Sequence, residues 1–340
     1  MRVGFNPNKD KQIASAGFYH QVILPVYIPN FEGYFKDSFQ ILQNCLTSLF
    51  KTSHSKTYFT VVNNGSCKEV VLYLNDLFLK GQIHELIHVD AIGKLNAIIK
   101  GLVGQKFEVV TISDSDVLFL NNWQTATYSV FESFPKAGAV CTTPSSRSLR
   151  TYTANLYWDT FFSKNIQISK VVNSQALKDF SISVGNENFY NENQLQYYLT
   201  IESKGVKAVA GAGHFVCTYR KEVFQSLDRL YTTFSLGGDS EASLLDIPVV
   251  ANGLWRLSTA DNYTYHMGNV TEPWMNEQVE KLTCFETEMK INLFPFKRLS
   301  YFENILKNRI FSKFILNKTI LRYFLVWRGL PKEAAKNYLT

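Results

Sequence analysis

The chain contains no run of about twenty uninterrupted apolar residues, the length a helix needs to cross a bilayer. The opening residues, Met1 through Asp10, hold nothing like the apolar core of a secretory signal, so the chain is expected to remain in the cytoplasm. Cysteine is sparse, five in 340 residues (Cys45, Cys67, Cys141, Cys217 and Cys284), and no two share a C-x-x-C spacing. That odd, scattered set argues against a disulfide framework and against a zinc site. Four N-x-S/T triplets, beginning at Asn64, Asn262, Asn269 and Asn317, read as chance matches in a chain without an export signal. No internal repeat is visible.

What is present is enough apolar material, 46% of the residues, to bury the core of one large α/β domain with an appendage. The net charge is +6, and its placement is uneven. Residues 291–340 hold ten Lys and Arg against Glu303 and Glu333, a net of +8 that leaves −2 for everything before it. The basicity belongs to the tail.

Short apolar runs alternate with helical periodicity through the first third of the chain. Gln21–Tyr27 predicts a strand, and Phe35–Phe50 a helix with Phe39, Leu42, Leu46 and Leu49 on one face. Tyr58–Val62 predicts a second strand, stopped by Asn63-Asn64-Gly65-Ser66, with a helix over Lys68–Lys80 behind it. Glu85–Val89, a helix over Lys94–Leu102, and Phe107–Ile112 complete the series. Such alternation predicts a doubly wound, mainly parallel sheet, whose ligands bind beyond the carboxyl ends of the strands. Later the pattern weakens. Ala137–Cys141, Ala208–Val216 continuing to Arg220, Trp255–Leu257 and Tyr263–His266 read as strands, with helices over Lys221–Leu230 and from Gly237; Ser145–Val184 mixes loop and helix signals.

The fourth strand runs into Ser113-Asp114-Ser115-Asp116. Period-two alternation turns both carboxylates to one side, where they can address one divalent cation. Mg²⁺ or Mn²⁺ favours a few carboxylate oxygens together with substrate phosphates, so D-x-D at a strand end suits a metal–diphosphate complex, though a solvated turn gives the same letters.

Four motifs occur in order: Ile23-Leu24-Pro25-Val26-Tyr27, Val61-Val62-Asn63-Asn64-Gly65-Ser66, Gly93-Lys94-Leu95-Asn96-Ala97 and Ser113-Asp114-Ser115-Asp116. In this order the chain resembles the family 2-type glycosyltransferases of bacteria, closely over residues 20–125 and more loosely to about 270. The resemblance implies a GT-A fold with a Rossmann-like nucleotide-binding half (20–125) and an acceptor half (126–285) in one domain, 1–285, followed by a basic helical tail, 286–340. It implies that Pro25, Val26, Tyr27, Asn63 and Asn64 hold the nucleotide base, that Gly93 and Lys94 approach the ribose or diphosphate, that Asp114 and Ser115 meet the donor, and that Asp114 and Asp116 bind the metal. Where the family usually carries Asp before Gly-Ser, this chain has an amide, which can accept or donate a hydrogen bond. UDP is the first choice of donor nucleotide, with GDP and dTDP open.

Asp239 and Glu241 follow two glycines in Gly237-Gly238-Asp239-Ser240-Glu241, where backbone can come close to a ligand and a carboxylate sits at a helix start. The resemblance makes one of them the base that takes the acceptor proton, Asp239 first and Glu241 second, with plain helix capping as the alternative. It also makes His266 the residue completing the metal's coordination, and puts His214, in Gly211-Ala212-Gly213-His214-Phe215, in a sugar-contacting loop. Trp255 and Trp274 are candidates for stacking on a sugar or for the core.

From 296 to 330 basic residues interrupt large apolar ones too often for a spanning helix. The composition suits helices lying on an anionic membrane surface, or an appendage packed on the domain or on a second subunit; no nucleic-acid module accompanies it. The expected activity is hexosyl transfer from a nucleotide diphosphate sugar to a hydroxyl of a glycan or lipid-linked glycan, with inversion, in polysaccharide biosynthesis. Two competitors stand beside it: a nucleotidyltransferase, whose Gly-rich basic loop after the first strand is replaced here by Tyr27-Ile28-Pro29-Asn30, and a non-catalytic glycan- or membrane-binding protein of the same fold.

Overall fold

The structure, a computed structural model, describes residues 4–12, 17–225, 227, 230–238, 240–285 and 288–340. Its centre is a sheet of ten strands among the described residues. In chain order these are β1 (His20–Val26), β2 (Thr57–Asn64), β3 (Glu85–Val89), β4 (Val109–Ser113), β6 (Ala137–Cys141), β7 (Ile166–Lys170), β8 (Tyr197–Ser203), β9 (Val206–Ala210), β10 (Val216–Arg220) and β11 (Trp255–Thr259). A two-stranded sheet pairs β5 (Val117–Phe119) with β12 (Thr264–His266). The ten strands lie in the order β3-β2-β1-β4-β10-β6-β11-β9-β8-β7.

The first four strands run parallel, with β1 between β2 and β4. β1 and β4 are buried along their whole length, as continuous apolar strands of a parallel sheet must be when helices cover both faces. Those helices are α1 (Ser38–Thr52), α2 (Lys68–Leu79) and α3 (Lys94–Leu102), each burying an apolar stripe; α1 buries Ile41, Leu42, Cys45, Leu46 and Leu49 at helical spacing. Register is fixed from His20 opposite Thr57 to Val26 opposite Asn63, so the carboxyl ends of β1, β2 and β4 open on one edge. The α/β class and the parallel half with its crossover helices are therefore as the sequence led one to expect.

Beyond β4 the sheet is mixed. β10 runs antiparallel to β4 and β6, β6 pairs parallel with β11, and β9, β8 and β7 follow antiparallel. The strand expected to continue from Ala208 through Arg220 is interrupted at 211–215, where Gly211 takes a φ of +95° and a Cβ would collide with the Ser148 carbonyl. The helix expected over Lys221–Leu230 is a single turn, Lys221–Phe224, and part of the remainder lies outside the described residues. The segment 145–184 resolves into α5 (Ala154–Thr160), β7 and α6 (Ser174–Ser183), after α4 (Trp123–Ser133).

Two apolar cores result. One lies around β1, β2 and α1–α3. The other lies around β6, β9, β11, α4 and α5, and it includes Ile315, Leu321, Phe324, Leu325, Leu330 and Tyr338 of the tail. One face of the tail thus packs on the sheet domain.

Candidate active site

At the carboxyl ends of the parallel strands lies a cavity of about 430 Å³, within the range of small-molecule sites. Pro25 and Tyr27 from the end of β1, Asn64 from β2, Gly93 and Lys94 from the start of α3, and Asp114, Ser115 and Asp116 after β4 all line it. Tyr34, Leu236 and Asn269, which sequence reasoning passed over, line it too.

Gly93 caps α3 with a φ of +91°, and a Cβ there would stand 3.0 Å from the Ser235 Cα, so the position needs glycine. Lys94 follows, its N–H donating to the Ser235 carbonyl at 3.1 Å. Its ammonium reaches Asp114 Oδ1 at 2.6 Å and Glu241 Oε1 at 3.4 Å. Burial opposes the charge on Lys94, but Asp114, Glu241 and Asp116 outweigh it and raise its pKa to about 12. A fixed cation therefore stands at the cavity wall.

The Asp114–Asp116 turn is held by its backbone. Asp114 N–H donates to the Phe215 carbonyl at 2.7 Å, and Met267 N–H donates to the Asp116 carbonyl at 2.8 Å. Pairing of β12 with β5 sets His266 opposite Val117, and this register brings His266 Nε2 to 3.4 Å from Asp116 Oδ2. Ser183 Oγ lies 2.9 Å from the other ring nitrogen. Burial pushes the Asp116 carboxyl up to about 6, partly opposed by His266.

Whether these groups suit a divalent cation can be judged on Asp116. Its Oδ1 is buried with no hydrogen-bond partner, an uncompensated acceptor of the kind a bound ion would satisfy. With Asp114 two residues away, the pair offers the carboxylate oxygens that Mn²⁺ or Mg²⁺ takes from protein when substrate phosphates supply the rest. Among the described residues no three His, Cys, Asp or Glu side chains form a cage by themselves. A cation held largely by substrate phosphates needs none.

A second cavity, about 300 Å³, shares Lys94 and Asp114 with the first and is walled by Phe180, Phe189, Tyr190 and Phe215. Glu241 and His214 face it. Behind them runs a chain of polar contacts: His214 Nδ1 lies 3.7 Å from Glu241, His214 Nε2 lies 2.7 Å from Asp246 Oδ1, and Arg256 lies 2.7 Å from the same oxygen. Asp246 and Arg256 are both fully enclosed, and Arg256 also donates to the carbonyls of Thr151 and Ala212. Sequence reasoning missed this pair. A charge set in an apolar stretch, as in Leu244-Leu245-Asp246-Ile247-Pro248 and Trp255-Arg256-Leu257, was the available signal, because such a charge must find a partner when buried.

Several expected residues lie elsewhere. Val26 is fully buried and is not part of the cavity wall. Asn63 is buried in its turn, its Oδ1 accepting from Ser66 N–H at 3.1 Å and its amide nitrogen 2.9 Å from His88 Nδ1, and it does not line the cavity. Asn64 does face the cavity, but its Oδ1 accepts from Ile92 N–H at 2.9 Å. Trp255 donates to Asp159 at 2.9 Å and Trp274 packs on Tyr265; neither lines either cavity. Asp239 lies outside the described residues.

No protein-family model matches the chain, and no curated protein matches it by sequence. Among solved structures it is similar to residues 1–349 of TarS from S. aureus, at 13% identity and a TM-score of 0.41, covering 95% of this chain and 69% of that one. The complex of that protein with UDP-GlcNAc aligns at 13% identity and 0.43, covering 95% and 70%. A mannosyltransferase from Pyrobaculum calidifontis, PcManGT, solved with GDP-Man and Mn²⁺, aligns at 13% identity and 0.43, covering 97% and 77%. At this distance the likeness says nothing of what this chain binds.

Proposed function

We propose that the chain is a metal-dependent glycosyltransferase of GT-A type, which moves a hexosyl group from a nucleotide diphosphate sugar, UDP-linked by preference, to a hydroxyl of a glycan or lipid-linked glycan. The observation that carries this reading is the convergence of Lys94, Asp114 and Asp116, with the unpartnered Asp116 Oδ1, on one cavity at the ends of the parallel strands. Asp114, Asp116 and His266 would hold Mn²⁺ or Mg²⁺, which when bound offsets the charge of the departing diphosphate. Lys94 supplies a fixed positive charge to the same group. Tyr27 and Tyr34, both exposed at the cavity, offer ring faces to the base.

On the other side of Lys94 and Asp114, Glu241 is the described carboxylate able to accept the acceptor's proton, since it faces the second cavity and is braced by His214. In the step, the anomeric carbon–phosphate oxygen bond breaks, the acceptor oxygen–carbon bond forms on the opposite face, and the proton passes to Glu241. Attack opposite the leaving group makes the transfer inverting. A lipid-linked acceptor would bring this cytoplasmic enzyme to the inner face of a membrane.

The test is to incubate the protein with UDP-, GDP- and dTDP-sugars, with and without Mn²⁺, and identify the phosphorus product. Metal-dependent release of the nucleoside diphosphate supports glycosyl transfer. In a parallel incubation with added inorganic diphosphate, its consumption with formation of a nucleoside triphosphate and a sugar 1-phosphate would support nucleotidyl transfer instead, and no turnover with no nucleotide binding would remove the enzymatic reading.

A further inference from the structure

The tail uses only one side of its helices to build the fold. In the Lys318–Trp327 helix, Leu321, Phe324 and Leu325 enter the second core, while Tyr323 and Trp327 remain 66% and 55% exposed on the opposite side with Arg322. Trp327 makes ring contacts with Phe161 at 5.6 Å and with Phe162 at 6.4 Å; Phe162, just after α5, is 85% exposed. In the last turn of α5, Trp158 meets Phe311 at 5.0 Å, and Phe311 lies 6.3 Å from the exposed Phe314. An aromatic patch therefore spans two segments that are distant in sequence, and exposed clusters of this kind mark interaction sites.

Its charge says what it would meet. Arg309, Lys313, Lys318 and Arg322 make no ion pair among the described residues, whereas Lys307 is paired with Asp159 at 3.0 Å. Glu303 is the sole acid from 296 to 330, and its carboxylate is engaged in capping at Ser300. A two-fold contact between copies would set these uncompensated cations against each other, which disfavours a second chain as the cover. A bilayer with anionic headgroups meets both demands, since aromatic rings settle at the headgroup level and Lys and Arg pair with lipid phosphates.

We propose that the outer face of the tail, with Phe162 and Trp158 of the sheet domain, docks the chain on an anionic lipid surface. The inference does not depend on the transferase reading, because its test reads vesicle binding alone.

The full chain would be co-sedimented with phosphatidylcholine vesicles and with vesicles also containing phosphatidylglycerol, at low and high salt. Binding about tenfold or more stronger to the anionic vesicles, weakened by salt, is expected. Two variants separate the contributions: F162A/W327A removes rings, and K313Q/R322Q removes charge. Each should lower vesicle binding about tenfold or more while the thermal midpoint stays as in the parent. Equal binding to neutral and anionic vesicles, absence of binding, variants that bind like the parent, or a dimer in sedimentation velocity that K313Q/R322Q strengthens would each overturn the proposal.

Discussion

The two halves of the sheet bury charge in different ways. In the parallel half the ionic side chains, Lys94, Asp114 and Asp116, stand at strand and helix ends and reach into a cavity, each with some exposure. In the mixed half Arg220 and Arg256 are fully enclosed, Arg220 donating to backbone carbonyls and Arg256 to backbone carbonyls and the buried Asp246. Arg220 serves the carbonyls of Ala137, Pro135 and Phe294, tying β6 and the start of the tail together. Arg256 holds Asp246 and the loops at Thr151 and Ala212. The first arrangement leaves charge available to a ligand; the second consumes it in architecture. Glu241 and His214 sit where the two meet.

Substitutions should divide along that line. Arg256→Ala would strand Asp246 in the core and is expected to lower stability by about 3–5 kcal/mol in denaturant titrations. A smaller loss, with nucleotide binding also intact, would mean the pair is not closed in solution. Lys94→Gln should do the reverse, weakening nucleotide binding by about 2 kcal/mol with little change in stability, as read by calorimetry beside thermal melting. His214→Gln is expected to slow nucleoside diphosphate release by about tenfold while donor affinity holds, because His214 touches Glu241 and does not line the nucleotide cavity. A change in donor affinity instead would place His214 in the wrong half.

The parallel half also contains a buried neutral network, in which His20 and His54 both contact the Tyr128 hydroxyl. Burial pushes His20 well below its ordinary value and His54 down to about 4. Below about pH 6.5 the unfolded chain binds these protons and the native chain does not, so stability falls as pH drops from 6.5 toward 4. About 1 kcal/mol per histidine should be lost over the first pH unit, and His54→Gln should flatten the profile measured by urea unfolding.

The legible part of the molecule was the part whose order is local. Strands such as Val22-Ile23-Leu24 and Val109–Ile112, and the helix Lys94–Leu102, declare themselves by apolar runs and periodicity, and the cavity then follows from where parallel strands end. β7 and β8 were not seen, because Ile166–Lys170 carries Gln, Ser and Lys on a half-exposed strand at the sheet's margin. The contact of His266 with Asp116 depends on β5–β12 pairing, and that of Asp246 with Arg256 on packing across the sheet; neither is written in spacing. Asn63 shows a competing demand on a motif residue. The motif suggested a base-reading amide, and the turn's own need for a side-chain acceptor at Ser66 N–H took it first.

The most direct measurement is a calorimetric titration of UDP into the parent chain and into Asp116→Ala, each with and without Mn²⁺. Binding that requires Mn²⁺ in the parent and vanishes in the folded variant is the predicted result. Equal binding by both chains, or binding by the parent that ignores the metal, would contradict a donor site built on Asp116.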